Sequence, residues 1–318
     1  MMRCIATVAL AAALLATPAA AEDRLKLAVG QKGFWDTAMP WMGQEKGFFK
    51  DAGIVLEIQW TEGGADTEQA VITGSFDVGI AVGIMGVIGA WAKRAPVAMI
   101  SAQMTGSPDL YWYVRADNPA RGFKDLAGKT VGFSRPGSSS NLIAAALAKT
   151  AGIEVKLIST GGPAATLTQV MSGQVDAGWS AVPVNLNLVQ DGKIRMIAAG
   201  NDAPGIAEQT VRINITNKPT LERRADALRR FLAAYQRSID WAYESPEAPE
   251  MYAKFAQVTP AVVAELRSKY FPKAALALSQ VGRIEASIQE AVQAKRLDKP
   301  LTAEQTRDML RPIADLTR

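Results

Sequence analysis

Histidine is absent from the 318 residues, and the single cysteine is Cys4. Without histidine there is no Ser-His-Asp triad, no Cys-His pair and no HExxH zinc site, and one cysteine cannot make a CxxC redox pair. Neither a cofactor nor a metal site is expected. The apolar stretch Thr7–Ala16 is shorter than the ~20 residues of a transmembrane helix, and no later stretch is apolar enough to span a bilayer. Runs of one charge are missing too. The 35 basic and 31 acidic residues leave a net charge of +4, with no Lys/Arg run longer than two. Arg223-Arg224 and Arg229-Arg230 alternate with Glu222 and Asp226, the pattern of a solvated helical face rather than a nucleic-acid patch.

Glycine is nearly missing from the last third: 25 of 26 glycines lie at or before Gly205, and only Gly282 follows. Tight turns therefore belong to the first two thirds, and the tail reads as helices over 221–243, 246–255, 260–270, 275–294 and 303–310. Ser245-Pro246, Thr259-Pro260 and the capping box from Thr302 to Gln305 mark helix starts. At the other end, Arg3, the apolar Thr7–Ala16 and the small residues Ala19-Ala20-Ala21 have the order of a cleavable export signal. The expectation is a cleavable signal over 1–21 and an exported chain from Glu22.

The glycine-rich part repeats itself. Lys50–Ile58 matches Lys149–Leu157, and Val71–Gly79 matches Val170–Gly178, both at an offset of 99 residues. Gly63-Gly64 matches Gly161-Gly162 within one residue of that offset. Each copy alternates strands and helices, which predicts two lobes of one topology, each a helix-covered, mostly parallel sheet. Between the copies, Asp109–Arg115 alternates as a strand expected to cross from one lobe to the other. In Thr210–Thr216, Val211, Ile213 and Ile215 share a face, and this strand is expected to cross back. Two extended crossings make a hinge. The expected division is 22–110 for the first lobe, 111–211 for the second, and 212–318 returning to the first.

These blocks, with Lys46-Gly47-Phe48-Phe49, Asp125–Gly132 and Gly137-Ser138-Ser139-Ser140, resemble the periplasmic solute-binding proteins of the nitrate, taurine and alkanesulfonate type. The resemblance covers the chain after residue 21. It implies the two-lobed type II binding-protein fold, a small-molecule ligand, an ABC importer permease as partner, and a monomer that performs no catalysis. Enzymes that resemble this family, such as pyrimidine-precursor synthases, depend on histidine and iron, and deaminases of the fold depend on a cysteine. An enzyme of the same fold acting on a pyrimidine-like molecule and a sensory ligand-binding module are the alternatives.

Ligands of open parallel sheets lie beyond the carboxyl ends of the strands. In the first lobe that rule selects Gln31–Asp36, Thr61–Ala65 and Ala81–Ile84. In the second it selects Ser134–Asn141, Gly161–Ala164 and Ser180–Pro183. Gly64, Gly83 and Gly162 would offer bare backbone N–H groups there. Ser138 and Ser139 stand at a helix start, an anion-binding arrangement, although one serine suffices as a cap. Arg135 is either a forked partner for a sulfonate or carboxylate, or a surface arginine. Phe34 and Trp35 follow the first strand; Trp35 either stacks over a ligand or packs under its own helix. Trp179 ends a strand at the cleft edge, where its equivalent in the first copy is Ile80. Hydroxyls, aromatic rings and a nearby arginine favour a small organic anion, a sulfonate or a carboxylate.

Overall fold

The computed structural model describes residues 22–317, so the expected export segment and Cys4 lie outside the described residues. The first copy of the repeat runs β1 (Asp23–Gly30), α1 (Trp35–Glu45), α2 (Phe48–Asp51), β2 (Ile54–Thr61), α3 (Gly64–Ile72), β3 (Val78–Gly83), α4 (Ile84–Ala92) and β4 (Val97–Thr105). The second runs β5 (Leu110–Arg115), β6 (Thr130–Phe133), α5 (Ser139–Ala151), β7 (Lys156–Ser159), α6 (Pro163–Met171), β8 (Gly178–Ala181), α7 (Leu186–Gln190) and β9 (Ile194–Ala199). The chain ends with β10 (Thr210–Asn217), α8 (Lys218–Arg223), α9 (Ala225–Glu244), α10 (Ala248–Ala256), α11 (Pro260–Glu265), α12 (Ile284–Gln293) and α13 (Ala303–Leu316). Among the described residues no helix is long and apolar enough to cross a membrane.

Two sheets share one strand order. The first is β2-β1-β3-β10-β4, in which only β10 runs antiparallel to its neighbours. The second is built from β8-β5-β9 and the pair β6-β7, joined by a parallel bridge between Val131 and Ala177. Its antiparallel strand is β5. Each chain crossing thus supplies the antiparallel strand of the sheet it enters. This is the periplasmic-binding-protein architecture, a mixed α/β fold.

The 99-residue offset extends to individual side chains. Thr67 donates to the Gly63 carbonyl at 3.2 Å and shares a 2.7 Å hydroxyl contact with Thr61. Thr166 repeats this with Gly162 and Thr160, at 3.0 and 2.7 Å. The Asp77 carboxylate accepts from the Lys26 backbone N–H, and that of Asp176 from Thr130, so both acids pin a turn to the neighbouring strand. Gly79 and Gly178 leave room for the methyls of Thr67 and Val71 in one copy and of Thr166 and Val170 in the other. A Cβ at either glycine would come within 3.0 Å of those side chains.

All eight residues of β10 are buried, because it runs inside a sheet flanked by helices. One expectation is corrected. The helix expected over 275–294 begins only at Ile284. Gly282 exchanges hydrogen bonds with Thr210 through its N–H and its carbonyl, and Arg283 takes a left-handed φ of 51°. That segment is tied to the start of β10 instead of continuing a helix.

Candidate functional site

The carboxyl ends of β1, β3 and β6 converge on one cleft. It is lined by Gly30, Phe34, Thr37 and Gly64, by Ala81 and Gly83, by Ser134 and Ser138–Ser140, and by Trp179. Three helices start at its rim without a side-chain cap, at Phe34, Gly63 and Gly83. Their first N–H groups carry the positive end of the helix dipole and have no partner within the helix. Ala81 holds a left-handed φ of 62° where β3 turns toward the cleft. Empty space there amounts to about 420 Å³, part of it open to solvent. The two sheets are drawn close in this conformation.

Their contact is a glycine seam. A Cβ at Gly83 would lie 2.5 Å from the Gly137 carbonyl oxygen and 2.9 Å from Ser138 backbone atoms. The Gly86 N–H donates to that same carbonyl at 3.2 Å. Gly162 faces Glu62 and Gln31 across the gap. Arg135 reaches over it to Asp66 at 2.9 Å.

Beneath the seam lies a buried ionic cluster. Arg212, on β10, donates from Nη1 to Asp36 Oδ2 at 3.0 Å and from Nη2 to Asp109 Oδ2 at 2.7 Å. Its Nε lies 3.4 Å from Ser139 Oγ. All three charged side chains are at most 6 % exposed. Burial would lower the Arg212 pKa, but the two carboxylates outweigh it and hold the group above its ordinary value. Burial raises the Asp109 carboxyl, opposed by Arg212 and reinforced by Asp36. Asp109 immediately precedes β5, and Arg212 is near the start of β10. One guanidinium therefore ties both chain crossings to the first turn of α1.

The sequence-derived candidates divide. Phe34, Gly64, Gly83, Ser138, Ser139 and Trp179 line the cleft. Ser138 also caps α5, its Oγ accepting from the Asn141 N–H at 3.2 Å. Three candidates lie outside that lining. Trp35 is fully buried in the core, donating to the Tyr243 hydroxyl at 3.0 Å and meeting Tyr252 edge-on at 4.8 Å. Arg135 is half exposed and occupied by Asp66. Gly162 belongs to the seam. The loop 180–183 is likewise outside the lining, and Trp179 is fixed by donating to the Gly161 carbonyl at 3.2 Å. Asp36 closes the selected loop 31–36, but its pairing with Arg212 and Asp109, and those two residues themselves, were not singled out. The available signal was an arginine inside the apolar alternation of 211–215.

Glu68, on α3, lies behind the seam, where a Cβ on Gly86 would meet its Oε2 at 2.6 Å. Burial pushes its carboxyl up to about 7, opposed by Arg296. A raised carboxyl pKa means the folded state binds the proton more tightly. Its contribution is full below about 4.5 and is lost as pH rises through about 7. Chemical denaturation between pH 5 and 8 is expected to show stability falling by about 1–3 kcal/mol, and Glu68→Gln to flatten that slope.

The family model described as NMT1/THI5 like matches residues 36–249, two thirds of the sequence. The chain belongs to the NMT1/THI5-like family. No curated protein matches the sequence. Among solved structures, this NMT1/THI5-like chain is similar to the alkanesulfonate-binding protein SsuA of Xanthomonas axonopodis pv. citri bound to MOPS. The identity is 17%, with 94% of this chain and 96% of that one covered and a TM-score of 0.71. The periplasmic aliphatic sulphonate binding protein SsuA of Escherichia coli gives 18% identity, 89% and 91% coverage, and a TM-score of 0.68. The desulfurization enzyme DSZB gives 17%, 89% and 95%, and 0.60. At these identities the likeness establishes the fold.

Proposed function

We propose that this NMT1/THI5-like protein is the periplasmic solute-binding component of an ABC importer, a monomer that captures a small organic anion and passes it to a membrane permease. Residues 22–110 and 212–318 form one lobe, 111–211 the other, and the solute is held as the lobes close about the two crossing strands. One observation carries the reading: the uncapped starts of α1, α3 and α4 from one sheet meet the serine-lined start of α5 and Trp179 from the other at a single cleft, with Phe34 in its wall. Such a cleft favours a negatively charged head group. The similar SsuA proteins are named for binding sulfonates, which supports a sulfonate or carboxylate.

The test is a thermal-shift panel of sulfonates, carboxylates, inorganic oxyanions and pyrimidines. A solute at 100 times its Kd stabilises by about 2.7 kcal/mol. Binding is expected to shift tryptophan emission through Trp179, and Ser139→Ala to weaken affinity about 5- to 10-fold, the value of about one hydrogen bond. If no panel member shifts the transition, the reading fails. A second reading is an enzyme, favoured by the likeness to DSZB. Release of product from a bound panel member by the protein alone would decide for it.

A further inference from the structure

Glu68 and the glycine seam meet at Gly86. A Cβ there would lie 2.6 Å from Glu68 Oε2 and 3.1 Å from the Gly137 carbonyl oxygen. Two oxygens, one from α3 and one from the opposite sheet's loop, thus converge on a single point beside α4. Gly137 is pressed just as closely: its own Cβ would meet the Gly86 Cα at 3.1 Å and Arg296 Nη2 at 3.2 Å. The Gly86 N–H, in the first turn of α4, donates across the seam to that carbonyl at 3.2 Å.

The loop so held is the one that brings serines to the cleft. The Gly137 N–H donates to Asn141 Oδ1, and the Ser138 N–H to the Arg135 carbonyl, each at 3.1 Å. The seat of Gly137 on Gly86 therefore decides where the hydroxyls of Ser138–Ser140 stand. Ionised, Glu68 turns a negative oxygen toward the negative end of the Gly137 carbonyl dipole in a partly buried place. Protonated, it is neutral and carries a hydrogen that an acceptor can take.

Little else is placed to offset that charge. Of the elements packed on α3, α4 and β3 contain no titratable residue. On β1, Asp23 is held by Arg224 and Arg230, Arg24 pairs with Glu57 of β2, and Lys26 is exposed. On β10, Arg212 is held by Asp36 and Asp109. On α3 itself, Asp66 is taken by Arg135 of the facing loop. Arg296 is the cation that acts on Glu68. Parting the sheets withdraws the Gly137 carbonyl and admits water, which returns the carboxyl toward its ordinary range.

We propose that Glu68 is a positioning residue for the cleft: its protonated form lets the Gly137 loop close on Gly86, and its ionised form drives the two sheets apart. The inference rests on reading the cleft as one that opens and closes about a solute. Linkage fixes the sign. The closed form binds the proton more tightly, so closure is fully favoured below about pH 4.5 and weakens as pH rises through about 7.

The test uses the chain from Glu22, which contains no cysteine, spin-labelled through Ser75→Cys and Ser172→Cys. Both positions are exposed, one beyond α3 and the other beyond α6. Pulsed dipolar spectroscopy without solute reads the ratio of closed to open populations. That ratio is expected to fall about 10- to 30-fold from pH 5.5 to pH 8.5. In Glu68→Gln, which keeps the shape and cannot ionise, it is expected to stay at its low-pH value. A ratio that ignores pH in the protein with Glu68, or one that falls equally in Glu68→Gln, overturns the inference. The carboxyl ¹³C resonance of Glu68 gives the same decision without that substitution, since its titration midpoint must coincide with the midpoint of the ratio. Calorimetric titration with ethanesulfonate, ionised throughout this range, is expected to show affinity falling in parallel. No binding at either pH, with the ratio still responding, leaves the inference standing and removes the anion reading.

Discussion

Replacing Arg212 with methionine is expected to destabilise the protein by about 3–5 kcal/mol at neutral pH, more than any other single change at the cleft. The reason is what remains. Asp36 and Asp109 are at most 1 % exposed, and both depend on Arg212 for a charged donor. Once the guanidinium is gone, two buried carboxylates repel each other with only Gln103 and Ser107 as donors. Burial already raises the Asp109 carboxyl with Arg212 in place, and removal of the cation raises it further. The sign of the pH dependence follows. A carboxyl whose folded pKa lies above its ordinary 3.8 favours folding while protonated and opposes it as pH rises. Urea denaturation of Arg212→Met should therefore show a deficit that is small near pH 4 and grows toward pH 8. A deficit independent of pH would mean that lost packing, and not uncompensated charge, sets the cost. Combining Arg212→Met with Asp36→Asn and Asp109→Asn removes the charges together, and most of the lost stability is expected to return.

The division between what the sequence made legible and what it did not has physical causes. The 99-residue offset survives at the level of Thr67 and Thr166, Asp77 and Asp176, and Gly79 and Gly178. Each of these performs a local task, a turn or a close approach, that one residue type at one spacing specifies. The common topology of the two sheets followed from the same repeat. The ionic cluster did not, because Arg212 meets partners 176 and 103 residues away and no local pattern encodes such a meeting. Trp35 and Phe34 show a second limit. Phe34 is the extended residue before α1 and Trp35 its first helical one, so the buried Phe34 ring forms part of the cleft wall while Trp35 packs in the core against Tyr252. Composition ranks both rings alike; only the entry angle of α1 separates them. Arg135 shows a third: its guanidinium lies within reach of Asp66 once the sheets approach. An arginine free for a ligand in the sequence is already engaged in the fold.

Gly83→Ala is expected to lower solute affinity by at least about 100-fold, equivalent to ~2.7 kcal/mol, while leaving thermal stability of the unliganded protein nearly unchanged. The added methyl would sit 2.5 Å from the Gly137 carbonyl oxygen and 2.9 Å from the backbone of Ser138. Both obstacles are main chain of the opposite sheet's loop, so no side chain can swing aside. Within its own sheet Gly83 has a φ of −64°, which alanine adopts without strain. The unliganded protein can relieve the clash by parting the sheets, a motion that exposes the seam and leaves each core intact. A solute held from both sides has no such escape, since contact with one wall must be given up. Gly64→Ala is the control with the opposite signature. Its methyl would meet the Ala81 carbonyl oxygen at 2.8 Å, inside the same sheet, so stability is expected to fall even without solute. Calorimetric titration beside thermal melts of both variants separates the two effects. If Gly83→Ala loses stability and keeps affinity, the seam is a packing contact and the sheets do not move apart to admit the solute. Lost affinity with an unchanged melt would instead identify approach of the two sheets as the step that retains it.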